Sequence, residues 1–138
     1  MRKTLIIMVF CASACNHADS PSFTPVELRA TPWDKITQQA KGSTVNFAMW
    51  GGEEARNRYF RSAVAETLLG QYGINLHVVP IADTADAINK MWNEQGAGKA
   101  HDGSLDLLGV NGENFRTAKQ ANLLWGAVCR CAAEYSPL

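Results

Sequence analysis

The stretch STVNFAMWGG (Ser43–Gly52) alternates Val45, Phe47 and Met49 with Asn46 and Ala48, then stops at Trp50 and two glycines. Period-two alternation predicts a strand over 44–49 with one strongly apolar face, broken by Trp50-Gly51-Gly52. From about Glu53 to Leu69 the apolar residues Tyr59, Phe60, Ala63, Val64 and Leu68 recur at helical spacing, and Gly70 and Gly73 are placed to close that helix. This is one strand-turn-helix unit.

Two more units follow it. Ile74 to Val79 reads as the second strand, with Pro80 ending its hydrogen bonding. Asp83 or Thr84 can cap the next helix, whose stripe is Ile88, Met91, Trp92 and Gln95, with Gly96 and Gly98 at its exit. After a polar loop at 99–103, Leu105, Leu107, Leu108 and Val110 around Asp106 predict a third strand, near-continuous in apolar character as in a sheet covered on both faces. Asn111, Gly112 and Glu113 then turn into a helix carrying Phe115 and Ala118. The fold class is therefore α/β, a parallel sheet with flanking helices joined by right-handed crossovers.

Upstream, Thr31, Pro32 and Asp34 mark a helix start, Trp33, Ile36 and Ala40 its apolar stripe and Gly42 its end. Residues 15–30, with Pro21 and Pro25, read as a flexible linker. The first residues, Met1-Arg2-Lys3, an apolar run from Leu5 to Phe10 and small residues at 11–14, have the form of a secretory signal over 1–14. A membrane-spanning helix needs ~20 apolar residues, more than this run supplies. Cys15 resembles the lipidated Cys of bacterial lipoproteins, although Ala12 stands where that motif usually has Leu. Periplasmic release and membrane anchoring through a lipidated Cys15 are the two expectations.

Without the signal, 11 Lys and Arg face 13 Asp and Glu, a balance that gives no electrostatic reason to expect nucleic acid as a partner. With 46% hydrophobic and 19% charged residues the chain is globular in composition. Cys129 and Cys131 are too closely spaced for a relaxed disulfide, and neither Cys nor His falls at metal-ligand spacing, so no metal or cofactor is expected. No nucleophile elbow, phosphate loop or strand-end His is present, which argues against an enzyme.

Ligands of open parallel sheets bind beyond the carboxyl ends of the strands. Three loops belong to that rim: Trp50 to Glu53, Ala82 to Thr84 and Asn111 to Asn114. Trp50 beside Gly51-Gly52 offers an aromatic face and closely approachable backbone, or else simple packing and a turn. Asp83 and Thr84 are helix caps before they are ligand contacts. Asn111, Gly112 and Glu113 could hydrogen-bond a polar solute or merely start a helix. Asp106, inside an apolar strand, requires hydrogen-bond partners or an edge position.

At STVNFAMWGG (Ser43–Gly52), ADTADAINKM (Ala82–Met91) and GSLDLLGVNGENF (Gly103–Phe115) the chain resembles the periplasmic solute-binding proteins of bacterial ABC importers. The likeness is to their YnjB-like branch, related to binders of thiamine, polyamines and iron. That resemblance implies an incomplete first lobe of a type II, two-lobed clamp over 31–126. It also implies cleft-facing positions at Trp50, Gly51, Gly52, Asp83, Thr84, Asn111, Gly112 and Glu113, and a permease partner in the inner membrane. The solute is unnamed by these residues, although Trp50 with Asp83 and Glu113 suits a cation.

The last residues, AVCRCAAEYSPL (127–138), depart from the Pro-Phe-acidic continuation that the family suggests. A one-base shift of their codons permits PFADALPNT, so an out-of-frame tail is the expectation, with reduced or no activity. Two other classes compete: a small exported lipoprotein acting as an interaction module, and a doubly wound nucleotide-binding domain.

Overall fold

β1 (Thr44–Trp50) is the centre of a three-stranded parallel sheet of order β2-β1-β3, with β2 at Asn75–Ile81 and β3 at Leu107–Leu108. The computed structural model describes residues 23–99 and 103–126. The signal, Cys15 and the tail from residue 127 lie outside them. β1 pairs with β2 along its whole length, from Thr44 opposite Asn75 to Trp50 opposite Ile81, and with β3 at Phe47–Leu107 and Ala48–Leu108. A central strand has both faces covered, so Ala48, at 0% exposure, and Met49 are both buried although they point to opposite sides.

Helix α3 (Glu54–Tyr59), a π-helical turn (Phe60–Val64) and α4 (Ala65–Tyr72) carry the chain from β1 to β2. The Phe60 ring meets Phe47 edge-on, centroids 5.2 Å apart, which fixes this segment over the odd-numbered face of β1. Helix α5 (Thr84–Gly96) crosses back over β1 to reach β3. The reversed direction puts it on the opposite face, where Ala87 and Ile88 are buried against the sheet. Helix α6 (Gly112–Gln120) packs on α5 through buried Ala118.

Several expectations are corrected. Pro25–Ala30, expected within the linker, is helix α1, because Thr24 and Glu27 form a reciprocal capping box and Pro25 suits the first turn. Thr31 does not cap α2 (Trp33–Ala40). Its hydroxyl donates to the Glu27 carbonyl at 2.7 Å, and Pro32 precedes the helix. Only Gly73 closes α4, in the left-handed conformation at φ 67°, while Gly70 lies inside the helix.

β2 does not stop at Pro80. Asn75 N–H donates to Ser43 and the Ile81 carbonyl accepts from Gly51, so odd positions bond β1 and Pro80 faces the free edge, where no donor is needed. The third strand is far shorter than the apolar run suggested, and one side of it is bare: Leu107 is 53% exposed. Trp92, expected on the buried stripe of α5, is exposed, and Ala87 takes its place in the core.

Candidate functional site

All three strands end on the same side of the sheet, because all are parallel. Their loops are stitched together by backbone. Gly51 N–H donates to the Ile81 carbonyl at 2.9 Å, joining the turn after β1 to the end of β2. Gly109 N–H donates to the Ala48 carbonyl at 2.8 Å, joining the exit of β3 to β1. With order β2-β1-β3 the chain leaves β1 and β3 in opposite directions, and the crevice of such a sheet opens between those two strand ends. Trp50-Gly51-Gly52 and Asn111-Gly112-Glu113 border it. Asp83 and Thr84 stand on the far side of β1, beyond the switch point.

Trp50 is 53% exposed, and its indole lies over Gly52, where an added methyl would overlap the ring. The indole thus rests beside backbone that carries no side chain of its own. Asp83 caps α5, its Oδ1 accepting from Ala85 N–H at 2.9 Å, and Asn111 caps α6, its Oδ1 accepting from Asn114 N–H at 3.0 Å. The capping reading of Asp83 is therefore realised, with Thr84 the first residue of α5, and Asn111 adds a cap of its own. The Asn111 amide group retains its donors, with no partner among the described residues. Glu113 is exposed in the first turn of α6.

Acidic groups gather on this side of the sheet. Glu53 pairs with Arg56 at 2.6 Å and Glu54 with Arg61 at 2.7 Å, whereas Asp83, Asp86 and Glu113 have no ion-pair partner among the described residues. The exposed pairs add little stability, but they balance the charge of Arg56 and Arg61. Among the described residues no group of three or more His, Cys, Asp or Glu is placed to hold a metal.

Asn57 is the residue that the sequence reading passed over. On α3 it is 1% exposed, the one buried polar side chain among the described residues. Its Nδ2 donates to the Gly51 carbonyl at 3.1 Å, while its Oδ1 is buried without a partner. A polar residue in a helix start ordinarily reads as solvent-facing, and only its place one α-turn before Arg61 and Phe60 could have hinted otherwise.

Asp106 takes a hydrogen bond from neighbouring backbone, as expected. It is exposed, and its Oδ2 accepts from Asn46 N–H at 2.7 Å while its own N–H donates to the Asn46 carbonyl at 3.0 Å. It extends the ladder one residue below β3 and contributes nothing to the rim. On the other side, Asn46 Oδ1 meets His77 Nδ1 at 3.0 Å, so a polar row crosses all three strands at this level.

A separate open cavity of about 420 Å³ runs along α5, lined by Asp86, Asn89, Lys90, Asn93, Glu94 and Lys99. Most of its lining is one face of a single helix with charges of both signs, the arrangement of a solvated surface rather than of converging ligand groups. It is not the strand-end crevice.

The chain is 50% identical over 95 residues, 69% of its length, to Protein YnjB of Escherichia coli (strain K12). The match covers 24% of YnjB, so the chain spans about a quarter of that relative. No family model matches the chain, and no solved structure does. Among the described residues no helix is long and apolar enough to cross a membrane.

Proposed function

We propose that this chain carries first-lobe elements of the substrate-binding component of a bacterial ABC importer, capturing a small solute outside the inner membrane for delivery to the permease. The observation that carries the reading is the switch point between β1 and β3, whose bordering loops carry an exposed indole, a glycine backbone and the free amide donors of Asn111. The likeness to YnjB over 95 residues supports the same reading. Trp50 supplies a face on which a cation is attracted by the ring quadrupole, and the unpaired Asp83 and Glu113 favour the same sign of charge. The reading includes no covalent chemistry. Half of a clamp supplies half of the contacts, so binding by this segment is weak.

Amide NMR titration of the chain with thiamine, spermidine, ferric ion and a neutral disaccharide tests this. The expected result is saturable shifts at Gly51, Gly52, Asn111 and Gly112 with a cationic member. Trp50→Ala is expected to weaken binding about 2- to 30-fold, the range of a cation–π contact. Shifts confined to the α5 cavity, or binding indifferent to Trp50→Ala, would overturn the proposal.

A further inference from the structure

We infer that Asn57 is the positioning residue of the strand-end crevice, holding the Trp50-Gly51-Gly52 turn in the shape that presents the indole. Its side chain reaches back from the first turn of α3 to the carbonyl of Gly51. The N–H of the same residue is held by Ile81. Gly51 is thus fixed on both sides, by β2 through its N–H and by α3 through its C=O. The next residue, Gly52, is the surface against which the Trp50 ring rests.

Stability alone does not account for an asparagine here. A buried amide oxygen without a partner is unfavourable, and its removal in a leucine offsets the loss of the Nδ2 hydrogen bond to the exposed Gly51. What an apolar side chain cannot do is donate to Gly51. The π-helical turn begins three residues further on, at Phe60, an irregularity that in helices often accompanies a functional site. The ring contact of Phe60 with Phe47 anchors the helix to the sheet three residues after Asn57, so the amide is presented from a fixed platform.

This role rests on the solute-capture reading, and its test uses no solute, so the failure of one is distinguishable from the failure of the other. In Asn57→Leu the thermal midpoint is expected to hold or rise, while the Gly51 amide exchanges with solvent about fivefold faster. That factor is ~1 kcal/mol, the usual worth of one hydrogen bond. The amide of buried Met49 reports global opening and should not change. Acrylamide quenching of Trp50, read in a chain with Trp33, Trp92 and Trp125 replaced by Phe, should rise in parallel. Unchanged Gly51 exchange and unchanged quenching in Asn57→Leu would overturn the inference, as would equal acceleration at Met49. If that variant does not fold, the unsubstituted chain still decides: the Asn57 side-chain amide protons should exchange more slowly than those of exposed Asn89, and equal rates would refute the tether.

Discussion

At Gly52 the chain has a residue whose missing side chain is occupied by a neighbour. The Trp50 indole fills the space that a Cβ would take, yet the ring is more than half exposed and can swing outward. Gly52→Ala should therefore displace the indole without unfolding the chain. Stability is expected to stay within about 0.5 kcal/mol, as for surface substitutions, while Trp50 emission shifts toward that of free indole. A large stability loss with unmoved emission would mean that the ring is locked and the backbone gives way instead. The turn after β1 was legible in the sequence because a strand that runs into paired glycines has few ways to continue. Asn57 was not, because burial of a polar residue depends on where the preceding turn folds, which no local pattern encodes.

At the scale of elements, the two full strands were legible because β1 alternates cleanly and β2 is bounded by Gly73 and Pro80, although its pairing runs past that proline. The third was overread: four apolar residues between Leu105 and Val110 suggested a strand covered on both sides, but only two of the residues pair. Capping chemistry hid in the opposite way at α1, where Thr24 and Glu27 lie in a polar stretch that looks like a linker.

Capping-type bonds also set a pH response. Ser104, its hydroxyl near the carboxyl without a hydrogen bond and its backbone N–H donating to Oε2 at 3.0 Å, holds Glu94 below the ordinary carboxylate range and ties the approach of β3 to α5. A depressed carboxylate stabilises the fold above its unfolded pKa and loses that contribution as pH falls through the lower folded value. Glu94→Gln should thus lower the thermal midpoint at about pH 7, and the gap to the unsubstituted chain should close towards about pH 3. A gap independent of pH would assign the loss to packing. Glu27 is shifted in the same direction by the Thr24 backbone and hydroxyl.

For the molecule as a whole, the β3 side is the open one. Leu107, Val110 and Phe115 are exposed there, beside an edge of only two paired residues. Apolar area next to a free strand edge favours association. Sedimentation should show concentration-dependent self-association of the chain, reduced in Leu107→Lys. A cooperative, protease-resistant monomer at all concentrations would show that the edge is adequately protected as it stands.

The opposite margin is built differently. Pro80 turns its nitrogen outward, so a strand laid against β2 would find its uppermost donor missing while Leu76 and Val78 still offer theirs. The sheet therefore has a direction of growth. One proline seals the left margin near the carboxyl ends of the strands, and whatever extends the sheet, another segment or another molecule, is steered to the right.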